Sequence, residues 1–290
     1  MFDFERRVSI CDVGAAISGT GNGQPEWHGL VEAGLANVIG FEPDERSIPA
    51  LQAYTDHYEF LPYFVGNGES QKFHLNDFHE TSSLLPSNTE FLKHYLQIGP
   101  LMNTNKIIDC ETTKLDDALG DRKIDVLKID VQGAALDVLK GGLSVLANTL
   151  LVQCEVEFNP LYKGQPLFSD IDIFMREHGF MLYTFSSLKN LPLRPRELTR
   201  EQLQTNGQLG WTDAVYIPNH ERLSELSAHD LHLLALFVAL RYGYTDLSCH
   251  LLMRANPEAG MDDVRHFLNE VVSLKSISFK VAGQIHRIRL

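Results

Sequence analysis

The stretch Val8-Ser-Ile-Cys-Asp12-Val-Gly14 is an apolar run that ends in a carboxylate followed by a glycine. Two later apolar stretches also end in a carboxylate, Val38-Ile-Gly-Phe-Glu42-Pro-Asp44 and Asp125-Val-Leu-Lys-Ile-Asp130-Val-Gln-Gly133, and a glycine follows the acid only in the second of these. Short apolar runs of this kind are typical of buried parallel strands, and ligands bind at the carboxyl ends of the strands in an open parallel sheet. The pattern therefore predicts a nucleoside-cofactor pocket at the strand ends.

Strand-like and helix-like segments alternate from Val8 to Ile217, which predicts a doubly wound α/β fold with a Rossmann-like sheet of seven strands. Pro25 is placed to open a helix that reaches about Ala33. We expect a third strand over Phe60–Val65 and a hairpin arm or added strand over Gln71–Leu75. Residues 76–105 form a long irregular segment with a short helix near 90–96. The last two strands, joined by residues 186–210, are expected to pair as an antiparallel hairpin.

The chain changes character after Pro218, where apolar residues recur at helical spacing. We therefore predict two units, a cofactor-binding domain over residues 1–218 and a small helical extension over residues 219–290. The segment around Leu231, Leu234 and Val238 is apolar on most of its circumference, which indicates contact on two sides. The extension either caps the sheet or forms the interface of a homo-oligomer.

Composition excludes several classes of function. The net charge of −13 disfavours a nucleic-acid partner, because binding to the phosphate backbone draws on lysine and arginine. No apolar run reaches the roughly 20 residues of a membrane helix, and the first residues lack the pattern of a signal peptide, so we expect a cytoplasmic protein without an integral membrane segment. The four scattered cysteines are interpreted as reduced core thiols, and no metal site is predicted.

Candidate site residues follow from the strand ends. Asp12 and Gly14 precede a glycine-rich loop, and either bind a cofactor or serve only to form the turn. Glu42 stands where an acid binds a ribose, or is a solvated turn acid. Asp130 either takes part in the chemistry or caps the next helix. Glu155 and Glu157 share one strand face and either reach the cleft or pair with bases at its rim.

Two further polar residues, Lys128 and Ser82, lie in the segments that carry these acids or follow them. Lys128, within the strand that precedes Asp130, is expected to lead to a sheet edge or to extend its charge into solvent. Ser82 lies in a run of hydroxyl residues, Thr81 to Ser83, that is placed to contact a cofactor or an acceptor.

The ordered set of motifs resembles the FkbM-type methyltransferases. It comprises Asp12-Val-Gly-Ala15, Phe41-Glu-Pro43, Thr113-Lys-Leu-Asp-Asp-Ala-Leu119, Val126-Leu-Lys-Ile-Asp-Val131 with Gly133, and Glu155 before Gly179-Phe180. The resemblance covers about residues 8 to 217. It implies S-adenosylmethionine as cofactor, strand order 3-2-1-4-5-7-6, and methyl transfer to a hydroxyl of a sugar, a polysaccharide or a polyketide.

Carried over by position, the resemblance places Asp12, Gly14 and Ala15 beside the methionine part of the cofactor, and Glu42 with Pro43 beside its ribose. Asp130 falls on the reaction side, where Asp130 or Glu155 would accept the proton of the acceptor. The chain departs from the family in one respect. The family often has Ile-Asp-Val-Glu-Gly followed two positions later by Glu, whereas this chain has Gln132 and Ala135, so that both carboxylates are missing.

Three functions are compatible with the sequence. The first is an S-adenosylmethionine-dependent O-methyltransferase with a carbohydrate or another hydroxyl-bearing acceptor. The second is an NAD-dependent oxidoreductase, because Gly19, Gly21 and Gly23 with a following acid partly imitate a dinucleotide fingerprint. The third is a methyltransferase-like protein that binds a cofactor or a partner without turnover.

Overall fold

Seven strands form the main sheet of the computed structural model, which describes residues 6–17, 24–43, 47, 49, 51, 58–194 and 207–282. Their bounds are β1 Val8–Val13, β2 Ala36–Phe41, β3 Tyr58–Leu61, β7 Val126–Ile129, β8 Leu151–Glu157, β9 Phe180–Leu191 and β10 Gln208–Pro218. The sheet order is β3-β2-β1-β7-β8-β10-β9. Counted within this sheet alone, the order is 3-2-1-4-5-7-6, as the resemblance implied. β10 runs antiparallel to both of its neighbours, so the predicted terminal hairpin is confirmed.

A second, smaller sheet lies beyond the third strand. Its strands are β4 Phe64–Val65, β5 Ser70–Asn76 and β6 Thr104–Thr113, in the order β4-β6-β5. Between β5 and β6 the chain forms a 3₁₀ turn over His79–Thr81 and two short helices, α2 Thr89–Leu92 and α3 Ile98–Leu101. We call residues 76–105 the lid segment. Its residues lie against the carboxyl ends of the main-sheet strands and form one wall of the cavity described below.

Helices cover both faces of the main sheet. The remaining ones are α1 His28–Glu32, α4 Leu115–Leu119, α5 Ala135–Lys140, α6 Leu143–Asn148, α7 Phe168–Glu177, α8 His220–Glu225, α9 Ala228–Arg241, α10 Thr245–Ala255 and α11 Met261–Ala282. Side chains of α4 to α7 pack with the alternate residues Cys11, Leu127 and Cys154 on one face. Among the helices that the structure describes, none combines the length and the apolar character needed to cross a membrane.

The helices after Pro218 supply the cover of the other face. Val8, Ile10 and Val126 of the sheet belong to the same buried cluster as Leu234 of α9 and Leu251 of α10. Helix α9 is buried from Leu231 to Ala239, apart from one partly exposed position, because the sheet and the following helices enclose it. The predicted contact on two sides is confirmed, and of the two roles weighed for the extension, packing on the sheet is the one observed.

Several sequence-based element predictions were wrong. Phe60–Val65 is not one strand, because the chain leaves the main sheet after Leu61 and joins the small sheet at Phe64. Strand β6 was missed, since its residues are mostly exposed and polar and show little apolar alternation. The predicted helix near 90–96 is shorter and lies over Thr89–Leu92. The glycine-rich loop lies largely outside the described residues.

The cysteines match their prediction in part. All four fall within the described residues and are free thiols, but only Cys11 and Cys154 are buried, whereas Cys110 and Cys249 are partly exposed.

Candidate active site

One cavity of ≈ 700 Å³ opens at the carboxyl ends of β1, β2, β7 and β8. Its volume lies within the range of small-molecule and cofactor sites. The structure brings every residue predicted for the site to this cavity, as lining residues: Asp12, Gly14, Ala15, Glu42, Pro43, Ser82, Asp130 and Glu155. Their roles remain predictions, but their convergence follows from the parallel sheet, which collects its strand ends at one edge.

The turn after β1 is built on a close backbone contact. The amides of Gly14 and Ala15 both donate to the carbonyl oxygen of Phe41, at 3.0 Å, and Asp130 N–H donates to Val13 O at 2.9 Å. Gly14 has φ +86°, and a Cβ atom there would lie 2.0 Å from the carbonyl oxygen of Asp130. Only glycine fits this position, and its absence of a side chain lets the ends of β1 and β7 meet.

A buried ion network occupies the floor of the cavity next to this turn. Lys128 Nζ lies 3.0 Å from Asp12 Oδ1, 3.5 Å from Glu26 Oε2 and 3.9 Å from Asp130 Oδ2. The other oxygen of Asp12 accepts a hydrogen bond of 2.8 Å from the indole N–H of Trp27. The expectation that Lys128 leads to a sheet edge or into solvent was wrong. Strand β7 is central in the sheet, so the ammonium group is enclosed, and three carboxylates compensate its charge.

The charges of this network shift the pKa values of its members. Burial by itself lowers the pKa of Lys128, but the carboxylates of Asp12, Glu26 and Asp130 outweigh burial and raise this pKa well above its usual value. Burial by itself raises the pKa of Glu26, because it disfavours the charged carboxylate, but the positive charges of Lys128 and Arg241 outweigh burial and lower this pKa. Both side chains are therefore charged at neutral pH.

A second polar cluster stands at the ends of β7 and β8. The amide nitrogen of Gln132 donates to Asp130 Oδ1 at 3.0 Å and to Glu155 Oε2 at 2.7 Å. Its amide oxygen accepts a hydrogen bond of 2.9 Å from Tyr162 OH, and Ser83 Oγ donates to its backbone carbonyl at 2.5 Å. Gln132 adopts φ +54°, a conformation that favours glycine. The residue that departs from the family pattern is thus the one that joins the two predicted catalytic acids.

Three acids at this end of the sheet, Glu155, Glu157 and Asp213, hold their protons more strongly than exposed carboxyl groups do. Burial, followed by the negative charge of Asp130, raises the pKa of Glu155 well above its usual range. The same two causes raise the pKa of Glu157 to about 8 and that of Asp213 to about 6. With a pKa of about 8, Glu157 is therefore largely protonated at neutral pH. Among the described residues, no set of three or more His, Cys, Asp or Glu side chains is arranged to hold a metal ion.

The second-strand end and the lid segment complete the walls. Glu42 is 6% exposed and lines the cavity with its neighbour Pro43, beside the aromatic rings of Phe41 and Tyr63. Ser82 Oγ accepts a hydrogen bond of 3.1 Å from the backbone N–H of Asn76, so this hydroxyl also ties the lid segment to β5. The lid segment also lines the cavity with His79, Glu80 and Thr81, and the apolar or aromatic lining residues of this region are Phe78, Leu84, Ile98, Leu101, Met102, Leu161, Tyr162 and Trp211.

Sequence analysis missed several residues of the site. Lys128 carries a readable signal, because it is level with Asp12 on the neighbouring strand and occupies the same sheet face. Glu26, Trp27 and Tyr162 carry none, since Glu26 and Tyr162 reach the cavity from loops and Trp27 contacts Asp12 from the start of α1. Of the two positions predicted for Glu157, in the cleft or paired with a base at its rim, the structure shows the first, because Glu157 lines the cavity.

The fold and the cavity define a Rossmann-like methyltransferase fold, with its site at the topological edge where the strand order reverses. Residues 12–182, more than half of the chain, match the family model of the methyltransferase FkbM domain. The protein therefore belongs to the FkbM methyltransferase family.

Known relatives are distant or matched over a short stretch. The 2-O-methyltransferase NoeI of Sinorhizobium fredii is 40% identical over 70 residues, which cover 23% of this chain and only 29% of that relative. Magnesium protoporphyrin IX methyltransferase (ChlM) from Synechocystis PCC 6803, solved with bound SAM, has a TM-score of 0.37 at 10% identity and covers 74% of this chain and 71% of its own. A putative RNA methyltransferase from Pyrococcus horikoshii has a TM-score of 0.34 at 10% identity, with 74% and 76% covered.

Proposed function

We propose that the protein is an S-adenosylmethionine-dependent O-methyltransferase that acts on a hydroxyl group of an uncharged carbohydrate. One observation carries the proposal: the strand-end acids Asp12 and Glu42 and the cluster of Asp130, Gln132 and Glu155 line the same cavity. The family membership supports methyl transfer, and the short match to a 2-O-methyltransferase supports a hydroxyl as the acceptor.

The residues at the ends of β1 and β2 fit such a cofactor. Glu42 offers carboxylate oxygens to the two hydroxyls of a ribose, and Phe41, Pro43 and Tyr63 offer an apolar slot for the adenine ring. The turn at Gly14 lines the cavity beside Asp12, and we assign the methionine part to this end of the cavity. S-adenosylmethionine would supply an electrophilic methyl group on its sulfonium sulfur.

Asp130 is our candidate for the base. Glu155 is the other candidate, but burial and the charge of Asp130 raise its pKa, which favours the form that already holds a proton. Asp130 would accept the proton of the acceptor hydroxyl as the acceptor oxygen forms its bond to the methyl carbon and the bond from that carbon to sulfur breaks. Gln132 would keep Asp130 in place by its amide hydrogen bond, and positioning of this kind supplies much of the rate in group transfer.

The charges of the cavity favour an uncharged acceptor. Among the described residues, its lining holds one lysine and seven acids, and five of these acids remain when Glu155 and Glu157, whose pKa values are raised, are set aside: Asp12, Glu26, Glu42, Glu80 and Asp130. The lysine, Lys128, is already surrounded by carboxylates. Phosphate or uronate groups would find repulsion here rather than a cationic partner, whereas the aromatic rings of Tyr162 and Trp211 suit the apolar face of a sugar ring. The same repulsion disfavours the pyrophosphate of NAD.

Calorimetry with the purified chain tests the cofactor. We expect heat of binding with S-adenosylmethionine and with S-adenosylhomocysteine, and none with NAD. Glu42→Gln should weaken binding, because the ribose hydroxyls then lose a charged acceptor. Binding of NAD without binding of the sulfonium compound would instead favour the oxidoreductase, and the proposal would be withdrawn.

A transfer assay tests the chemistry. Labelled methyl donor is incubated with a panel of neutral, uronate-bearing and phosphorylated oligosaccharides, and only neutral ones should be methylated. Asp130→Asn should lower kcat by roughly 10²- to 10⁴-fold, the range for loss of a general base, and leave S-adenosylhomocysteine affinity unchanged. Asp121→Asn, which alters an exposed acid remote from the cavity, is the matched control. Cofactor binding without transfer to any hydroxyl would favour the non-catalytic alternative.

A further inference from the structure

Helix α9 spans the main sheet and is anchored by ion pairs at both of its ends. With 14 residues it is about 21 Å long. Near its first turn, Asp230 lies 2.8 Å from Lys123 Nζ and 3.4 Å from Arg6 Nη2, at the edge where β1 and β7 begin. Its last residue, Arg241, lies at the opposite edge, where the carboxyl ends of the strands form the cavity.

Arg241 and the residue after it contact the floor of the cavity from behind. The guanidinium group lies 2.5 Å from Glu26 Oε1, and its central carbon lies 5.0 Å from the ring of Trp27. Tyr242 OH donates a hydrogen bond of 2.6 Å to Gln153, the residue level with Lys128 on the neighbouring strand. At this edge, Arg241 and Tyr242 therefore contact two residues of the loop before α1 and one residue of the sheet.

Both loop residues in turn contact charged residues that line the cavity. Glu26 lines the cavity and faces Lys128 at 3.5 Å, and Trp27 donates to Asp12 at 2.8 Å. In the pairs just described, Asp12 and Glu26 are balanced by Lys128 and Arg241. Without Arg241, Glu26 Oε1 would lose its cationic partner, and Glu26 could turn further toward Lys128, which already faces three carboxylates.

We propose that Arg241 is a positioning residue for the amino-acid end of the cofactor, which it serves by holding Glu26 and Trp27 at the wall of the cavity. This inference rests on the proposed function. Glu26 offers an ionised acceptor for the ammonium group of the methionine part, and Trp27 fixes the orientation of Asp12 beside it. The helical extension is on this basis a part of the cofactor site as well as a cover for the sheet.

The probe has to separate geometry from charge. The methionine part carries one ammonium and one carboxylate. Removing the positive charge of Arg241 favours the ammonium and disfavours the carboxylate, so the two long-range effects on binding largely cancel. S-adenosylhomocysteine has no sulfonium charge, and 5′-methylthioadenosine lacks the amino-acid part altogether. A defect confined to S-adenosylhomocysteine therefore reports the position of the groups that hold the amino-acid end.

Calorimetry with both ligands is run on the full chain. Arg241→Met should weaken S-adenosylhomocysteine by about tenfold or more, the loss expected for one charge-assisted hydrogen bond, and leave 5′-methylthioadenosine unchanged. Arg241→Lys should retain part of the affinity. Glu26→Gln should give the same pattern, and the double variant should be no weaker than Glu26→Gln alone, because Arg241 acts through Glu26.

Asp230→Asn is the matched control, since it removes the ion pairs at the other end of α9. It should lower the unfolding midpoint while both ligands bind as in the wild type. Unchanged binding of S-adenosylhomocysteine by Arg241→Met, or equal weakening of both ligands, would overturn the inference. If Arg241→Met does not fold, Arg241→Lys and Glu26→Gln carry the same comparison. A wild-type chain that binds neither ligand would overturn the proposed function, and this inference with it.

Discussion

Replacing Gln132 by glutamate changes one NH₂ group into an oxygen with almost no change in shape. In the native site this nitrogen donates to Asp130 at 3.0 Å and to Glu155 at 2.7 Å. In the variant an oxygen atom would face both acids. The substitution restores the residue that is common in the family at this position, so the family pattern alone predicts no harm, whereas the geometry predicts a loss.

The size of the loss follows from the contacts. Two unit charges about 3 Å apart repel by roughly 5–6 kcal/mol at an effective dielectric constant near 20, so the new carboxyl group takes up a proton rather than ionise beside Asp130. A protonated carboxyl donates one hydrogen bond where the amide donates two. Losing one bond to a charged group costs about 2–3 kcal/mol, which corresponds to roughly 30- to 150-fold in kcat if the bond positions Asp130 for the reaction.

The assay measures kcat and KM with labelled methyl donor, together with the affinity for S-adenosylhomocysteine. We expect Gln132→Glu to lower kcat by the stated factor with unchanged cofactor affinity. The ratio of variant to wild-type activity should fall as the pH is raised above neutral, because the new carboxyl group then loses the proton with which it donates. Gln97→Glu, the same substitution at an exposed site, is the control. An unaltered kcat, or a ratio independent of pH, would refute the role assigned to the amide of Gln132.

Three further predictions concern stability, each measured by urea unfolding. Gly14→Ala should destabilise the fold by more than Gly164→Ala, because both glycines have positive φ but only at Gly14 would the new Cβ meet a backbone oxygen. Gly164→Ala should cost about 1 kcal/mol. Equal losses of stability in the two variants would contradict the close contact at Gly14. Glu157 has a folded-state pKa of about 8, above the 4.5 of an exposed glutamate, so the native chain keeps a proton that the unfolded chain loses between these values. Its contribution to stability therefore declines as the pH rises through this range, by at most about 1.4 kcal/mol per pH unit, and Glu157→Gln should abolish that slope. Arg222→Leu should cost about 2–3 kcal/mol, since the guanidinium of Arg222 donates to four backbone carbonyls and lies over the ring of Phe180, and a change within error would show that these bonds contribute little.

Much of the main sheet could be predicted because its signals are local. A buried strand such as Val126–Ile129 is a short apolar run, and the acid that follows it needs no knowledge of the rest of the chain. The same reasoning placed Asp12, Glu42 and Asp130 at one edge, since parallel strands deliver their carboxyl ends together. Strand β6 escaped because an exposed strand in a small sheet is held by its backbone pairing with β5, which leaves a weak trace in residue type.

The partners of the site residues could not be predicted, because they come from remote parts of the chain. From the sequence, the charge of Lys128 is expected to lie in solvent, whereas the structure shows Asp12 and Glu26 beside its ammonium group. Gln132 reads as a lost carboxylate until its amide is seen between Asp130 and Glu155. In each case the sequence shows the type of one residue, whereas the residues that balance its charge or accept its hydrogen bonds are known only from the structure.

The amino-acid sequence by itself determined the fold class, the edge of the sheet that carries the site, and the family, because apolar periodicity and strand-end residues act over a few neighbouring positions. Only the tertiary structure decided which acids carry protons, which side chain joins Asp130 to Glu155, and that Arg241 reaches the cavity floor. These properties depend on burial and on distances of a few ångströms between residues as far apart as Glu26 and Arg241, and such distances exist only once the chain has folded.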